Sequence, residues 1–576
     1  MEEMNILAQI TSAPRRLWHW LRLNSRMNLM RHSRGFNRES SLKESVSLYL
    51  SGLCRGLKLS NTPDYRALVC IYLFALLFSS VFFSTSFASA DSGKEVYQRR
   101  CSWCHGASGE GDGPGAAYMN PAPRDLTSGI FKWKSTPYDE PMPTDQDLYN
   151  AIAGHKQDGN WRGFSNTAMD EWSDVLSEAE IRALAGYIKE IGGLDSPRLG
   201  AITLAGKNSM TEADRIRGRQ LYKDRCAECH GDEGRGDGTK RLKDDWGGRT
   251  WPRDLTKPWT FRAGSGVDAI FTRITLGIAG TQMPSFADKA SKKMLTESER
   301  WAVAGYVASL AEPDKRPVAG GVLKAARIDG QTPVTPNSPV WSKAQWAAFT
   351  LTPQIIEDDR LFTPTNDSIN VKALYNDKEV FILLEWHDRT LSLPSDEKAQ
   401  DLAIGPLYPD AAGVQFPSVL PEEGNATLPP FGMGGAEINN SVDILLWQSP
   451  SSDDKPQRVR LLKSRGPKDV SEIDVDKEGV VADGVYDKGV WRVVFKRTLA
   501  LENGQTQLNN GRLIPFALAV WDGSNAEAGS RHTMTPWLWM SMTTPHDNSI
   551  YIWPVVIGLL AFGIIWLIFR ATVRRG

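Results

Sequence analysis

Cysteine is scarce in this sequence, with six among 576 residues. Cys54 and Cys70 fall in a basic N-terminal segment, which leaves four cysteines in two close pairs. A disulfide-rich fold needs a larger set of dispersed cysteines, and an iron–sulfur cluster usually needs about four thiolates of its own. Both close pairs belong to Cys-x-x-Cys-His units, so no cysteine is left for a disulfide framework or a resident iron–sulfur cluster.

An excess of positive charge is also missing from most of the chain. From Asp91 onward, 56 lysines and arginines stand against 63 aspartates and glutamates. Proteins that bind nucleic acid neutralise phosphates with a basic surface. This charge balance argues against nucleic acid as a partner.

The N-terminal segment has the layout of an export signal. Residues 1–66 carry 11 lysines and arginines against five acidic residues, and residues 67–90 carry no charge. An apolar run over Ala67–Phe83 is followed by Ala88-Ser89-Ala90, the small-x-small pattern of a signal peptidase site. We therefore predict a presequence with a secretory signal over residues 1–90. A retained transmembrane helix is the alternative, and it would give the same topology.

The four remaining cysteines lie in two copies of one sequence block. GKEVYQRRCSWCHGASGEGDG surrounds the first pair and GRQLYKDRCAECHGDEGRGDG the second. The string PRDLT recurs after each block, and each copy ends in a helical pattern that contains Ala-Gly-Tyr. Repetition of this kind indicates a duplicated module.

Each block contains Cys-x-x-Cys-His, the attachment pattern of c-type haem. Two thiols on one turn can bond to both vinyl groups of one porphyrin, and the adjacent imidazole then becomes the fifth iron ligand. The sequence therefore predicts two covalent haem c groups with His105 and His230 as these ligands. The thiols would come from the two cysteine pairs, Cys101 with Cys104 and Cys226 with Cys229.

The sixth iron ligand should come from later in each module, where methionine is a common choice. In the second module Met283 precedes a proline that would stiffen its loop. In the first module Met169 stands at the equivalent place without a proline. We favour Met169 there, with Met142 as its rival and Met119 and His155 as weaker candidates.

These modules resemble class I cytochrome c domains in their order of helix, haem motif, long loop, methionine and final helix. The resemblance implies two all-α domains, which we place at residues 91–195 and 210–311. It also implies six-coordinate haems that transfer electrons without binding substrate. The absence of a proline after Met169 is the main departure from the family pattern.

The C-terminal half has a different composition. A region rich in proline and glycine, residues 312–337, reads as a linker. Short β-rich runs follow, such as Ile369–Tyr375 and Val380–Trp386 on either side of an Asn-Asp turn. We predict an all-β sandwich over residues 338–545.

Several strings in this half resemble the haem b-binding domain of ethylbenzene dehydrogenase gamma subunits. They are FILLEWHDRT, AGVQFP, PPFGMGG, WRVVFKR and FALAVWDGS, in that order. The wider family includes gamma subunits of type II molybdenum oxidoreductases and related nitrite oxidoreductase subunits. The resemblance implies one non-covalent haem b with Met433 as one ligand and His532 at the position where the family has lysine. A haem-free sandwich used for docking or ligand binding is the alternative, and we interpret His387 as structural.

The chain ends with an apolar stretch, Tyr551–Phe569, which would span roughly 28 Å as a helix. Arg570, Arg574 and Arg575 follow it. By the positive-inside rule, the sequence predicts one transmembrane helix with the C-terminus in the cytoplasm and the bulk in the periplasm.

Together these features predict a membrane-anchored electron-transfer subunit with no catalytic residues of its own. The family resemblance implies partner subunits that hold molybdopterin and iron–sulfur clusters, with nitrite or nitrate chemistry as the favoured reaction. A soluble cytochrome or the respiratory chain would be the other partner. The alternative is a haem enzyme, such as a peroxidase or nitrogen-oxide reductase, in which one haem c keeps an open site.

Overall fold

The computed structural model describes residues 92–573, with gaps in that range. The gaps are residues 120, 158–159, 163–166, 205–209, 248, 331–334, 421–427, 434–439, 467, 501–507, 509–512 and 543–548. The predicted presequence, including Cys54 and Cys70, lies outside the described residues.

Capping boxes begin the longer helices of the first domain. Its helices are α1 Gly93–Arg100, α2 Ser102–His105, α3 Asp145–Ala153 and α4 Glu178–Ile191. The side chains before α1, α3 and α4 accept a hydrogen bond from the third helical residue, whose own side chain bonds back to the cap. This reciprocal arrangement satisfies backbone donors that a helix start leaves unpaired. The capping residues are Ser92, Thr144 and Ser177.

The first and last helices of this domain pack at very short range. A Cβ at Gly93 would collide with the carbonyl oxygen of Ala183 in α4. One turn later, the rings of Tyr97 and Tyr187 meet edge to face with their centroids 5.4 Å apart. Glycine in α1 is therefore required by the close approach of two backbones.

The second domain repeats this arrangement. Its helices are α5 Glu212–Arg225, α6 Ala227–His230, α7 Val267–Leu276 and α8 Glu297–Ser309. Gly218 in α5 faces the carbonyl oxygen of Ala302 in α8, and the rings of Tyr222 and Tyr306 lie 5.3 Å apart. The duplication predicted from sequence is thus present in three dimensions.

Short strand pairs accompany the helices in both domains. β1 His155–Gln157 pairs with β2 Asn160–Arg162, and β3 Leu242–Lys243 pairs with β4 Arg249–Thr250. The helical character predicted for this region is present, but the domains contain these β-ladders as well. Polar residues and glycines around them gave no strand pattern in the sequence.

The C-terminal half is a large β-sheet domain. Among the described residues its strands are β5 Val322–Arg327, β6 Ala347–Thr350, β7 Thr352–Pro353, β8 Ser368–Tyr375, β9 Glu379–His387, β10 Ala411–Pro417, β11 Val442–Gln448, β12 Arg458–Gly466, β13 Asp469–Ile473, β14 Val481–Asp487, β15 Val490–Thr498, β16 Leu513–Trp521, β17 Thr533–Met534 and β18 Leu538–Met542. The helices α9 Glu397–Leu402 and α10 Val475–Glu478 lie in its loops.

The strands form two layers joined through β16. One layer has the order β13-β12-β11-β10-β16, and the other continues from β16 through β18, β5, β8, β9 and β15 to β14. Alternate side chains of both layers form one buried core, in which Trp386 and Trp447 from opposite layers lie 6.3 Å apart. The central strands β8, β9, β10, β11 and β16 are buried along nearly their whole length, so both faces of these strands are covered.

One strand lies inside the region that the sequence indicated as a linker. β5 runs parallel to β18 and β8, with Leu323 and Ala325 completely buried. The linker assignment for residues 312–337 was therefore wrong at β5. Proline and glycine on both sides obscured a short run that becomes a strand only when its two partners are present.

The helix α11 Ser549–Val573 ends the described chain. Its segment Ile552–Ala571 has a mean hydropathy of 2.5 and none of it is buried against the protein. This segment is long and apolar enough to cross a membrane.

Candidate haem-binding sites

Each cysteine pair lies on a single turn that continues a helix. The backbone N–H of Cys101 donates to Tyr97 O at 2.8 Å, and that of His105 donates to Cys101 O at 2.9 Å. In the second domain the corresponding bonds have the same lengths. The turn places both thiols and the imidazole on the wall of one cavity.

The two proximal imidazoles are oriented by backbone carbonyls. His105 Nδ1 lies 2.9 Å from Arg124 O, and His230 Nδ1 lies 3.0 Å from Arg253 O. A carbonyl only accepts, so Nδ1 carries the proton and Nε2 keeps the lone pair that a metal needs. Burial lowers the pKa of both imidazoles, which favours this neutral form.

These carbonyls explain the recurring string PRDLT, whose arginine supplies the acceptor in each domain. In the first domain Thr127 donates to Asp125 through its backbone N–H at 2.8 Å and its hydroxyl at 2.6 Å. In the second, Thr256 makes the same bonds to Asp254. The recurrence of this string was visible in the sequence, but the role of the arginine carbonyl became clear only from the structure.

The first domain encloses a cavity of about 520 Å³ beside its cysteines. Both Met169 and Met119 lie on its wall, whereas Met142 is not among its lining residues. The Met142 carbonyl instead accepts from Thr136 Oγ1 at 2.8 Å. The side chain of His155, which begins β1, lies outside the described residues. The cavity wall therefore favours Met169 or Met119 over Met142.

The second domain encloses a cavity of about 490 Å³ that Met283 lines together with Pro284. The Met283 carbonyl accepts from Ile278 N at 3.1 Å, which closes the loop on itself. A Cβ at Gly277 would collide with that same carbonyl. The loop that carries Met283 is thus fixed by its own backbone.

The loops of Met169 and Met283 share one hydrogen bond. Met169 N donates to Thr167 Oγ1 at 3.1 Å, and Met283 N donates to Thr281 Oγ1 at 3.3 Å. The same Thr-x-Met turn therefore presents both methionines. This equivalence favours Met169 over Met119 as the counterpart of Met283, although no proline follows it.

The residues of both cavities fit a covalently attached haem. Cavities that bind small molecules and cofactors commonly measure about 300–1,000 Å³, and these two lie within that range. Two thiols and one imidazole line each cavity, which is the set of side chains that covalent haem attachment uses.

The two cavities adjoin each other. Lys132 and Trp133 of the first domain and Arg262 of the second line both cavities. Arg273 of the second domain donates to Lys134 O at 2.7 Å, and Arg124 lies over the Trp246 ring at 4.2 Å. Side chains of each domain thus complete the cavity wall of the other.

The shared wall is rich in half-buried positive charge. Burial, followed by the neighbouring Arg124, lowers the pKa of Lys132 to about 8, and burial lowers that of Arg262 to about 9. An anionic group placed there would favour the charged forms of both side chains. The carboxylates that every haem carries are suitable anions, so this wall also fits the cofactor.

The third candidate site lies on the outer face of the layer that contains β10, β11 and β16. His532 is 5% exposed there, with its ring 4.7 Å from Trp521 and 5.6 Å from Phe431. Its Nδ1 lies 3.1 Å from Gly529 O, while its Nε2 is buried without a hydrogen-bond partner among the described residues. Burial lowers the pKa of His532 to about 4. The imidazole is therefore neutral and has a free lone pair, as a metal ligand requires.

Met433 belongs to the turn that brings Phe431 to this face. Met433 N donates to Pro430 O at 3.1 Å, and Gly432 N donates to Gln415 Oε1 at 2.7 Å. Gly432 has a φ of 72°, a conformation that glycine adopts without strain. The glycines after Met433 lie outside the described residues. The structure thus brings the Met433 turn and His532 to one face through their common neighbour Phe431.

His387 contacts the second cytochrome-like domain. Its Nδ1 lies 2.5 Å from Asp254 Oδ2, next to Arg253, whose carbonyl orients His230. Lys257 of the same domain donates to Asp367 at 2.9 Å. The sheet domain therefore packs directly beside the second haem motif through polar contacts that sequence reasoning missed.

Comparisons with known proteins agree with this architecture. Residues 90–192 and 216–311 match the cytochrome c family, and residues 338–460 match the ethylbenzene dehydrogenase family. A Haloferax mediterranei protein assigned as a respiratory nitrate reductase heme subunit is 23% identical over 36% of this chain and 69% of its own length.

Two further relatives cover parts of the chain. Chlorate reductase subunit gamma of Ideonella dechloratans is 25% identical over 39% of this chain and 85% of its own length. A chain of the Kuenenia stuttgartiensis reducing HAO-like protein complex is 34% identical over 38% of this chain and 96% of its own, with a TM-score of 0.34. By these matches, the chain joins two cytochrome c domains to a domain of the ethylbenzene dehydrogenase family.

Proposed function

We propose that this chain is the membrane-anchored haem subunit of an oxidoreductase complex. It relays electrons between an enzyme with molybdenum and iron–sulfur centres and the respiratory chain. The cytochrome c and ethylbenzene dehydrogenase families support this function, as do relatives named as subunits of nitrate and chlorate reductases.

The observation that carries the proposal is the shared wall of the two cavities. Electron tunnelling weakens steeply with distance, so redox centres that exchange electrons must lie close together. Lys132, Trp133 and Arg262 each line both cavities. Two haems in these cavities would therefore be near neighbours, as an internal relay requires.

The chain's own residues would hold two haem c groups. The four cysteines would form the covalent bonds, and His105 and His230 would bind the irons with the lone pairs that their Nδ1 hydrogen bonds leave free. Met283 and Met169 would each supply a further protein ligand to one iron. Bound haem supplies a one-electron redox centre. With two protein ligands on each iron, the site would transfer electrons and leave no position for a substrate.

A haem b would be held on the outer face of the sheet domain. The buried, unpaired Nε2 of His532 is the feature that supports this site. Met433, on the glycine-containing turn beside Phe431, would be the second ligand. Phe431 and Trp521 would then provide aromatic walls.

The apolar segment of α11 would anchor the chain in the membrane. Arg570 follows the apolar core of this helix, and Arg574 and Arg575 lie just beyond the described residues. By the positive-inside rule these arginines would face the cytoplasm, which leaves the haem-binding domains in the periplasm. There they could reach a soluble cytochrome as well as the partner enzyme.

The experiment is substrate-driven reduction of the haems in the intact complex. The detergent-solubilised complex is oxidised, mixed with nitrite under anaerobic conditions, and followed by absorbance of reduced haem. We expect haem c reduction at least as fast as enzyme turnover. Haems that stay oxidised while the same complex oxidises nitrite with an artificial acceptor would contradict the relay.

Tryptophan substitutions provide a matched control. Trp133→Leu alters the shared wall, and we expect it to slow electron exchange between the two haems several-fold. Trp539 on β18 of the sheet domain is 40% exposed, so Trp539→Leu should leave that exchange unchanged.

A further inference from the structure

Three buried carboxylates meet at one end of the sheet domain. Asp388 follows β9, Asp410 precedes β10 and Asp522 follows β16. One carboxylate oxygen from each lies within 4.8 Å of those from the other two, and none of the three residues is more than 3% exposed. They are dispersed between residues 388 and 522, so no sequence motif indicated them.

Neutral donors fix two of these carboxylates in place. Asp410 accepts from Gly523 N at 2.8 Å and from Trp491 Nε1 at 3.0 Å. Asp522 accepts from Thr365 Oγ1 at 2.6 Å and from the backbone that follows it. These bonds orient the oxygens but supply no positive charge.

The third carboxylate has an unpaired oxygen. Asp388 Oδ1 accepts from Thr390 N at 3.2 Å. Asp388 Oδ2 is buried and has no hydrogen bond among the described residues, and the indole Nε1 of Trp386, which interacts with Asp388, is unpaired as well. Buried acceptors are almost always paired in native proteins, and an exception calls for an explanation such as a bound ion.

Nearby cations do not balance the acidic charge. Glu527 is also completely buried, and its Oε2 accepts from Asp522 N at 3.0 Å. Arg389 interacts with Asp522 and Asp388, Arg249 with Asp522, and Arg531 with Glu527. Four carboxylates thus face three guanidinium groups. Burial, followed by the charge of Asp522, raises the pKa of Asp410 to about 8, which reflects the cost of ionising this cluster.

We propose that Asp388, Asp410 and Asp522 together bind one Ca²⁺ ion. All three side chains offer carboxylate oxygens as metal ligands. Oxygen ligands suit a hard cation better than zinc or copper. Carboxylates dominate the site, whereas Mg²⁺ retains several waters and is seldom held by an all-protein cage. A divalent ion would also pair the free oxygen of Asp388.

The proposed ion lies beside the junction with the second cytochrome domain. His387 contacts Asp254, and Arg389 Nε donates to Gly236 O at 3.3 Å. Lys398, in the nearby helix α9, pairs with Asp237 at 3.6 Å. Holding Asp388 in place would therefore also hold the loop that docks against that domain.

The test measures calcium uptake by the full-length protein with its haems. The detergent-solubilised chain is treated with a chelator, dialysed against buffered CaCl₂, and assayed for bound calcium and melting temperature. We expect one added calcium per chain and a rise in melting temperature of roughly 5 °C or more. No uptake at millimolar calcium, with an unchanged melting temperature, would overturn the proposal.

Matched variants locate the ion. Asp410→Asn and Asp388→Asn should each lose that one calcium and the calcium-dependent shift. Asp358, whose side chain is 98% exposed, provides the control variant Asp358→Asn, which should keep both. Retention of calcium and of the shift by Asp410→Asn would overturn the assignment.

Hydrogen exchange of the wild-type chain makes the test independent of how well the variants fold. Calcium should slow amide exchange over residues 388–403 and 522–527, which surround the cluster. Uptake of calcium without protection in these segments would place the ion elsewhere and overturn the proposal.

Discussion

At the scale of single residues, one hydrogen bond defines the chemistry of each proximal histidine. The carbonyls of Arg124 and Arg253 take the Nδ1 protons and leave Nε2 free on His105 and His230. The cysteines and histidines were predictable because their motif is local and its chemistry fixes the spacing. The carbonyl acceptors were not, because they lie 19 and 23 residues further along the chain.

Methionine substitutions test the sixth ligands. Met283→Ala and Met169→Ala should each open one axial position, so carbon monoxide should bind one reduced haem per chain, as measured by difference absorbance. Met142→Ala is the control, because Met142 does not line the cavity, and it should bind none.

Two outcomes would contradict this assignment. Carbon monoxide binding by Met142→Ala alone would make Met142 the ligand. Prompt binding by the wild-type chain would favour a haem enzyme with an open site over an electron relay.

Substitution of His532 tests the haem b site. In His532→Gln we expect haem extractable with acidic acetone to fall at least roughly tenfold, because an iron ligand is lost. Covalent haem should not change. His387→Gln, which alters a histidine bonded to Asp254 instead, should retain the extractable haem. Equal loss in both variants, or none in either, would contradict the site.

At the scale of elements, the crossing of α1 and α4 sets the geometry of the first domain. The duplicated sequence pattern and the resemblance to class I cytochrome c domains predicted these helices. It did not predict β5, because a six-residue run flanked by proline and glycine has no independent strand pattern. The two β-ladders of the cytochrome domains were missed for the same reason.

Glycine substitutions test this helix crossing. Gly93→Ala should lower the free energy of unfolding by about 1–3 kcal/mol, because the new Cβ collides with the Ala183 carbonyl. Gly186 is an exposed glycine within α4 and has open space around it. Gly186→Ala should therefore raise stability by roughly 0.5–1 kcal/mol. Denaturant unfolding of both variants checks the prediction, and equal effects would contradict it.

At the scale of the whole molecule, polar contacts join the cytochrome domains to the sheet domain. Asp254 and His387 are 133 residues apart and their contact could not be inferred from either local sequence. The families predicted which domains are present, but not which faces meet. The junction depends on charged side chains whose partners only the folded chain brings together.

The pH dependence of stability tests this junction. Although burial alone would raise it, the pKa of Asp254 is held below its usual value by His387 and Lys257. A depressed carboxyl pKa stabilises the fold above the unfolded value of about 3.9 and loses that contribution as the pH falls through the folded value.

The matching variant is Asp254→Asn. At neutral pH it should cost about 3 kcal/mol, because a buried charge pair is broken. The difference from wild type should shrink as the pH falls below about 4, as measured by unfolding at a series of pH values. A difference that stays constant over that range would contradict the role of Asp254.

The central claim is that the polypeptide carries two covalently bound haems, one on each cysteine pair. Intact-mass analysis of the denatured chain measures this most directly, with Cys226→Ala/Cys229→Ala as the comparison. We predict a mass increase of two haems for the wild type and one haem for the variant. A wild-type chain whose mass includes no haem would contradict the account.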